Sequence, residues 1–252
     1  MESFYLDRPL NFAHRGASHE APENTLASFS RAADLGADGI EFDVQLSSDG
    51  QVVVIHDFVL ETTTDGHGPV RDRTLSELKE LEAGAWFDRR FAGQRIPTLQ
   101  ELIDEVGHRL LLNIELKTAS LRDDGLALAV VRILQENALL GRVIVSSFNP
   151  LAVWRIKRAD ARIPIGLLYA PDLPFLMRRP WSRHLLRLDA LHPYHASVDA
   201  AYVSWAREQG LRIHTWTVDE PADMRRFIRL GIDLMITNRP DLLGQALSSE
   251  LN

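Results

Sequence analysis

Three acidic residues in two strand-like segments could bind one metal ion. Glu41 and Asp43 are two positions apart in an apolar run, so their side chains share one face of a strand, and the same spacing aligns Glu115 with Lys117. Carboxylates that converge inside a protein lose hydration and repel each other, which is unfavourable unless a cation compensates. Because carboxylate oxygen is the preferred ligand of Mg²⁺ and Ca²⁺, the pattern predicts that Glu41, Asp43 and Glu115 hold one of these divalent metal ions.

Arg15 and Lys117 place fixed positive charge beside this expected metal site. Such an arrangement suits an anionic phosphoryl group, whose negative charge rises in the transition state, so both residues are candidate substrate contacts. The ordinary alternative is that they form ion pairs with the nearby carboxylates, as scattered acids and bases usually do. The residues alone leave both interpretations open.

Two histidines are expected at the same end of the strands. His14 closes the first strand-like segment, and His56 closes the segment that follows a turn at residues 47–50. If those four residues form the whole hairpin loop, Glu41 lies opposite His56. Imidazole titrates near neutrality, so His14 and His56 are candidates to divide the acid and base roles of a catalytic reaction.

One tryptophan and one further histidine could also face such a site. Trp216 lies near the end of the seventh strand-like segment, where it is expected to contact a ligand, although an aromatic side chain there could also pack in the core. His192, in the sixth segment, could face the pocket, but the default expectation for it is a structural role. The same default applies to His19, His67, His108, His184, His195 and His214.

Short apolar segments alternate with helical periodicity along the chain, which is typical of βα units around a parallel sheet. Eight such strands in 252 residues match a closed (β/α)8 barrel, the TIM barrel of the α/β class, better than an open doubly wound sheet. Reactive groups of such barrels lie at the carboxyl ends of the strands, where the candidate residues fall. The expected strands are residues 11–14, 39–46, 110–117, 143–148, 165–169, 190–193, 212–218 and 234–237.

Two segments interrupt this alternation. The turn signal at residues 47–50 predicts a hairpin that continues the second strand beyond the barrel. Residues 57–98 follow as an irregular insertion with one short helix near residues 75–81, and they carry too few periodic apolar residues for a core of their own. The chain, residues 1–252, is therefore predicted to be a single barrel domain. Asn24 and Asp199 are the expected helix caps.

The composition is ordinary for a packed globular enzyme, with 45% hydrophobic and 25% charged residues. The formal net charge of −7 offers no broad attraction to nucleic acid, so no nucleic-acid partner is expected and any phosphate recognition must be local. The chain has no cysteine, which excludes disulfides and thiolate zinc sites, and its first residues show no signal-peptide pattern. A cytoplasmic location is therefore expected, and the oligomeric state is left open.

A series of short motifs runs through the chain from about residue 11 to residue 243. They are His14-Arg15-Gly16-Ala17, Ala21-Pro22-Glu23-Asn24-Thr25-Leu26, Glu41-Phe42-Asp43-Val44, Asp49-Gly50, His56-Asp57, Asn113-Ile114-Glu115-Leu116-Lys117, Thr215-Trp216-Thr217-Val218 and Thr237-Asn238-Arg239-Pro240. In this order they resemble the glycerophosphodiester phosphodiesterase family. The resemblance implies a TIM barrel with a small insertion after the second strand.

The resemblance also implies roles for individual residues and a substrate class. It implies that Glu41, Asp43 and Glu115 are metal ligands, that His14 and His56 are the acid and base, and that Arg15 and Lys117 contact phosphate. Members of the family cleave deacylated phospholipids such as glycerophosphocholine to glycerol 3-phosphate and an alcohol. A small-molecule glycerophosphodiester is therefore the expected substrate, while the headgroup varies within the family.

Two other functions remain compatible with the sequence. Residues 173–181 combine apolar and basic side chains in a loop after the fifth strand, which would suit a lysophospholipase D in transient contact with a membrane surface. An ordinary loop packed on the barrel is the alternative. The third hypothesis is a noncatalytic phosphate-binding module, because fold does not fix function. The two histidines argue against it, since a binding module needs no acid and base pair.

Overall fold

Eight parallel strands close into a barrel in the computed structural model, which describes residues 4–118, 120–174 and 177–251. The barrel closes because β1 (Leu10–His14) pairs with β2 (Gly39–Leu46) on one side and with β9 (Leu234–Thr237) on the other. A short antiparallel strand, β3 (Val52–Val54), extends β2. The remaining strands are β4 (Leu111–Leu116), β5 (Val143–Ser147), β6 (Ile165–Tyr169), β7 (Ala190–Pro193) and β8 (Arg212–Thr215). The predicted barrel with its insertion after the second strand is confirmed.

Helices pack against the outer face of the strands, except for residues 75–80, which form a short helix in the insertion. They are α1 (Leu26–Asp34), α2 (Leu75–Glu80), α3 (Leu99–Leu102), α4 (Leu126–Glu136), α5 (Pro150–Ala159), α6 (Ala200–Glu208), α7 (Pro221–Leu230) and α8 (Pro240–Leu251). The chain continues from α3 through one π-helical segment, Ile103–Gly107. Within the described ranges, every helix is too short or too polar to cross a membrane.

Local side chains satisfy the backbone groups at the helix starts. α1 begins after Thr25, whose hydroxyl accepts from the Ser28 amide, and α6 begins after Asp199, whose carboxylate accepts from an amide of the first turn. Asp199 is thus the predicted cap, but the prediction for Asn24 is wrong. The backbone of Asn24 has a φ of 56°, and its side chain donates to Asp43 instead.

The barrel interior is apolar toward the amino ends of the strands and polar toward the carboxyl ends. Leu10 and Phe12 of β1 pack inside with Ile144, Leu234 and other apolar residues. Because side chains alternate along a strand, the next inward position on β1 is His14, at the carboxyl end. The apolar plug therefore supports a layer of polar groups at the mouth of the barrel.

The hairpin after β2 differs from the prediction by one residue. Its loop spans residues 47–51, because Leu46 pairs with Val52. The backbone amide of Gln51 donates to the hydroxyl of Ser47, and this contact adds a fifth residue to the turn. With this register Glu41 does not lie opposite His56, so the predicted pairing is wrong. The strand ends before His56 and the chain turns.

The insertion has a small core of its own, contrary to the prediction. Seven residues of the hairpin and the insertion are buried together. They are Val53, Ile55, Leu60, Val70, Leu78, Ala83 and Ile96. Most of them come from turns and single helical turns, so they lack the regular spacing by which a buried face is recognised in a sequence.

Candidate active site

Three carboxylates converge at the carboxyl ends of two neighbouring strands. Glu41 and Asp43 come from β2 and Glu115 from β4, and Asp43 pairs with Glu115 in the register of the two strands. One oxygen of each side chain lies within 4.8 Å of the others, and the exposed fractions are only 4%, 1% and 7%. The structure thus brings together the three residues predicted as metal ligands.

Negative charge dominates the centre of this acidic cluster. Burial, together with the charges of Asp43 and Glu115, raises the pKa of Glu41 well above its ordinary value. Burial also raises the pKa of Glu115, although the charge of Lys117 opposes the rise. Burial acts against the charge of Asp43 as well, but Arg15 and Lys117 outweigh it and lower the pKa of Asp43. A cluster of buried oxygen donors with excess negative charge fits a hard divalent cation.

The two ring nitrogens of His14 have different surroundings. Nδ1 is 2.7 Å from Oδ1 of Asn238, and Nε2 is 3.8 Å from Oε2 of Glu41. The amide nitrogen of Asn238 donates to Asp219, whose carboxylate only accepts, so the amide oxygen accepts from Nδ1 of His14. Nε2 is therefore the basic nitrogen. Burial, with the charge of Arg15, lowers the pKa of His14 to about 4, which keeps the ring neutral near pH 7.

His56 reaches the same cavity from the turn after β3. Its Nδ1 is 2.7 Å from the carboxylate of Asp57, so Nδ1 donates, and Nε2 makes no hydrogen bond to any residue that the structure describes. The turn is held by Gln45 of β2, whose buried amide nitrogen donates to the backbone oxygens of residues 55–57 over 3.1, 3.1 and 2.8 Å. A side chain, rather than strand pairing, thus places His56, and both histidines line one cavity with Glu41.

Arg15 and Lys117 flank the carboxylates. Nη1 of Arg15 is 2.8 Å from Glu23, and its Nε is 3.4 Å from Asp43. Nζ of Lys117 is 3.1 Å from Glu115 and 3.8 Å from Asp43. Both residues therefore make the ion pairs of the ordinary interpretation while they border the cavities at the barrel mouth. Contact with a phosphate would come in addition to these pairs.

Trp216 follows β8 directly and lines the cavity that contains both histidines. Its indole N–H donates to the backbone oxygen of His192 over 2.9 Å. The ring packs edge to face against Phe148 and Tyr194, with centroids 5.6 and 5.5 Å away. Packing and ligand contact, the two alternatives for Trp216, are compatible in this position, because one edge of the ring is anchored while the residue borders the cavity.

Sequence reasoning assigned no role to the residues that orient the two histidines. Asn238 and Asp57 each belong to a motif of the family resemblance, so the motifs carried a signal for them. Asp219 contacts Asn238 rather than the histidine ring, and Gln45 contacts the backbone of the turn rather than the ring. The positions of Asp219 and Gln45 in the sequence do not indicate these contacts. Asn113 was missed too: it lines the cavity, and its Oδ1 accepts from Ser146.

His192 lies inside the barrel and not among the described residues that line the cavity. It packs against His214 with ring centroids 4.6 Å apart, and both side chains are fully buried. Nε2 of His214 is 2.9 Å from the hydroxyl of Tyr5, and the other three ring nitrogens have no hydrogen-bond partner in the described part of the chain. Burial lowers the pKa of His192 to about 3 and that of His214 well below its ordinary value. Both rings are therefore neutral.

The loop at residues 173–181 is described only in part. Phe175 and Leu176, which belong to the predicted membrane-contact segment, lie outside the described residues. Leu173 and Met177 line a second cavity beside the first. Membrane contact through this loop stays a prediction.

Comparison with known proteins gives one consistent result. The chain matches the glycerophosphoryl diester phosphodiesterase family over residues 14–242. A glycerophosphodiester phosphodiesterase of Caldanaerobacter subterraneus subsp. tengcongensis is 42% identical over 239 residues, which cover 94% of this chain and 96% of the relative. A glycerophosphodiester phosphodiesterase of Bacillus subtilis is 33% identical over 251 residues, with coverage of 94% and 85%.

Solved structures agree with the sequence relatives. An Oleispira antarctica phosphodiesterase, in complex with the product sn-glycerol-3-phosphate, has a TM-score of 0.85 at 31% identity, with 96% of this chain and 97% of that chain covered. A glycerophosphodiester phosphodiesterase of Agrobacterium tumefaciens has a TM-score of 0.81 at 28% identity, with 94% and 99% covered. The similarity extends over nearly the whole length of these proteins.

Proposed function

The chain belongs to the glycerophosphoryl diester phosphodiesterase family and is a phosphoric diester hydrolase, and from that premise we propose how its own residues perform the reaction. The substrate is a glycerophosphodiester, and the products are glycerol 3-phosphate and an alcohol. His14 and His56 are the acid and base, and Glu41, Asp43 and Glu115 hold a divalent metal ion.

One observation carries the proposal: both histidines line a cavity that Glu41 and Glu115 also border, and an acceptor at Nδ1 of each ring leaves Nε2 for proton transfer. Hydrolysis of a phosphodiester needs a base for the attacking oxygen and an acid for the leaving alkoxide. Two rings whose Nδ1 atoms are fixed by acceptors can exchange protons only through Nε2. The product found in the Oleispira relative supports the choice of a glycerol phosphate as one half of the substrate.

The acidic cluster suits a resident divalent cation on the chemistry of its donors. Its members offer only carboxylate oxygens and are buried together, and their mutual repulsion is already visible in the raised pKa of Glu41. Bound at these carboxylates, Mg²⁺ or Ca²⁺ would supply Lewis-acid polarisation of a phosphoryl oxygen.

The protein's own residues bind the phosphate and move the protons. Arg15 and Lys117 attract the anionic phosphate and stabilise its rising charge. One histidine enters the reaction neutral and accepts the proton of the attacking oxygen at Nε2, and the other enters it doubly protonated and donates its Nε2 proton to the leaving alkoxide. Asn238 and Asp57 keep the opposite nitrogen of each ring in its donor form. Trp216 forms part of the cavity wall that covers the reacting groups.

The two other hypotheses, a noncatalytic phosphate-binding module and a lysophospholipase D, have different outcomes. Membership of a hydrolase family removes the noncatalytic phosphate-binding module. Lysophospholipase D activity is not proposed, because no contact among the described residues favours a lysophospholipid over a glycerophosphodiester. Residues 1–252 act in this proposal as one barrel domain with the insertion at 57–98, and a cytoplasmic location stays a prediction.

A panel assay tests the proposal. Purified protein is incubated with glycerophosphocholine, glycerophosphoethanolamine and glycerophosphoinositol, in EDTA and then with Mg²⁺ or Ca²⁺ in excess, and glycerol 3-phosphate and the alcohol are both measured. We expect equal amounts of the two products, loss of turnover in EDTA, and recovery with at least one ion. Undiminished turnover in EDTA, or release of free glycerol with an alcohol phosphate, would contradict the proposal.

A further inference from the structure

A largely apolar cleft adjoins the catalytic cavity. This side cleft has a volume of about 220 Å³ and is lined by Phe58, Glu115, Leu116, Lys117, Thr118, Ser147, Phe148, Leu173 and Met177. Glu115 and Phe148 also line the catalytic cavity, so the two spaces share a wall. Resting on the proposed function, we propose that the side cleft binds the alcohol half of the diester and selects an uncharged, mainly apolar alcohol.

Volume separates the roles of the two spaces. The catalytic cavity measures about 60 Å³, whereas the side cleft measures about 220 Å³, so the side cleft offers more than three times as much room. The catalytic cavity therefore suits the phosphate and the groups that react, and the larger substituent extends into the adjoining cleft.

The chemistry of the walls decides which substituent that is. Five of the residues that line the cleft are of apolar type: Phe58, Leu116, Phe148, Leu173 and Met177. The Ser147 hydroxyl already donates to a backbone oxygen over 2.8 Å and accepts from the Asn149 amide over 3.1 Å. The charge of Lys117 is matched by Glu115 and Asp43.

These partners leave little for a polar group to bind. A glycerol or polyol in the cleft would lose hydrogen bonds to water without replacement, whereas an alkyl chain gains from burial. An ammonium group would find Lys117 in the wall, and the nearest carboxylates already neutralise that lysine. The cleft therefore fits the alcohol rather than the glycerol half, and a neutral alcohol rather than a cationic one.

Thr118 contributes a further polar atom to the cleft. The hydroxyl oxygen of Thr118 is buried and has no hydrogen-bond partner within the residues that the structure describes. It can bind a single oxygen of the alcohol, such as the bridging ester oxygen. The side cleft thus fits an apolar group that carries one hydrogen-bonding atom near the phosphate.

The position of Phe58 links the side cleft to catalysis. Phe58 follows His56 by two residues in the turn that Gln45 holds, and 47% of its surface is exposed. An apolar alcohol would cover this ring and contact the segment that carries the catalytic His56. Leu173 and Met177 close the other side from the loop after β6.

A series of alkyl esters of glycerol 3-phosphate tests the inference. Ethyl, butyl and hexyl esters differ little in leaving-group chemistry, so their kcat/KM values compare binding of the chain. Full burial of a methylene would raise kcat/KM by about fourfold, so we expect about two- to fourfold per methylene and at least about tenfold from ethyl to hexyl ester. If all three esters are hydrolysed with equal kcat/KM, the proposed role of the side cleft is contradicted and the proposed function stays intact.

Two variants locate the effect. Leu173→Asn makes the cleft wall polar and should reduce the hexyl-to-ethyl ratio to about twofold or less. Leu185→Asn is the matched control, because Leu185 is 80% exposed and lies outside the residues that line the cleft. A ratio that falls equally in both variants, or in neither, would contradict the assignment. Melting temperatures of the two variants show that both are folded.

Binding of alkyl phosphates gives a readout that needs no turnover. By calorimetry, hexyl phosphate should bind the wild-type protein at least about tenfold more tightly than ethyl phosphate, and Leu173→Asn should remove the difference. If no ester is hydrolysed with either ion, the proposed function is contradicted. Binding of the two alkyl phosphates still tests the role of the side cleft in that case. Equal affinities for both phosphates would overturn it.

Discussion

The barrel carries one pair of histidines at its mouth and another in its interior, and the two pairs have different neighbours. Nδ1 of His14 and Nδ1 of His56 each lie 2.7 Å from a side-chain oxygen, while both rings border a cavity. His192 and His214 are fully buried against each other, and in the part of the chain that the structure describes His214 pairs with Tyr5 while His192 has no hydrogen-bond partner.

The comparison shows that residue type alone does not make a histidine a candidate for catalysis. All four rings lie in or beside the same barrel, and burial lowers the pKa of His14 as it lowers that of His192. What differs is a side-chain acceptor at Nδ1 that fixes the tautomer and a position in the wall of the cavity beside the acidic cluster. Within the described residues, His192 has no hydrogen-bond partner, His214 is paired with Tyr5, and neither ring lines that cavity, so the interior pair fills volume between the strands.

Alanine substitution at the mouth should give the largest difference between the pairs. His14→Ala or His56→Ala removes an acid or base and should lower kcat by about 10²- to 10⁴-fold. His192→Leu is the matched substitution in the interior and should change kcat by less than about fivefold, because His192 exchanges no proton with substrate. Steady-state kinetics with glycerophosphocholine measure both. A comparable loss of kcat in His192→Leu would contradict the distinction between the two pairs of histidines.

An activated leaving group sharpens the roles within the catalytic pair. A p-nitrophenyl ester of glycerol 3-phosphate needs little protonation of its leaving oxygen, so the variant that lacks the acid should regain at least about 10²-fold relative to its activity on an alkyl ester. The variant that lacks the base should not recover. Recovery in both variants, or in neither, would show that the two rings do not divide the roles.

Removal of the acceptors should have a smaller effect than removal of the rings. Asn238→Ala or Asp57→Ala frees Nδ1 and should lower kcat by about 10- to 100-fold with little change in KM, because orientation rather than binding is lost. Asp241→Asn is a control, since Asp241 pairs with Arg239 and not with a catalytic histidine. An increase in KM with kcat unchanged would point to a binding role for the two residues.

The acidic cluster should destabilise the protein when no cation is present. Burial and like charges raise the pKa of Glu41, so its ionised form is unfavourable in the fold. Glu41→Gln should therefore increase the free energy of unfolding of metal-stripped protein by about 1 kcal/mol or more, while it abolishes activity. Urea unfolding in EDTA measures the change, and a clear loss of stability would mean that the charge of Glu41 is already compensated.

The interior pair should make stability depend on pH. The folded pKa of His192, about 3, lies below its ordinary value of 6.5, so the unfolded chain takes up the proton first as pH falls. Stability is fully present above pH 6.5 and is lost toward pH 3, by up to about 1.4 kcal/mol per pH unit for each such histidine. His192→Leu should reduce this slope by about one proton between pH 6 and 5, as urea unfolding would show. An unchanged slope would mean that His192 is protonated in the fold.

The sequence predicted the architecture and most of the residues that the structure brings together at the barrel mouth. Periodicity gave all eight strands, because apolar runs of a buried parallel sheet are distinct from helical patterns. Spacing within one strand aligned Glu41 with Asp43, and the strand order brought Glu115 beside them. These features depend on local patterns, which a sequence displays directly.

Features that depend on the contact of one particular side chain were not predictable. The hairpin loop gained one residue through a hydroxyl contact, so the pairing of His56 was misplaced. Gln45 nevertheless brings His56 to the cavity through contacts that no spacing reveals. Asn24 resembles a cap but instead binds Asp43, which lies far along the chain.

Calorimetric titration of Mg²⁺ or Ca²⁺ into metal-stripped protein tests the central claim most directly. We expect one ion per chain, with affinity lowered at least about 100-fold by Glu115→Gln and unchanged by His192→Leu. Absence of binding by wild-type protein, or equal binding by wild-type protein and Glu115→Gln, would contradict the claim that the three buried carboxylates form the metal site beside His14 and His56.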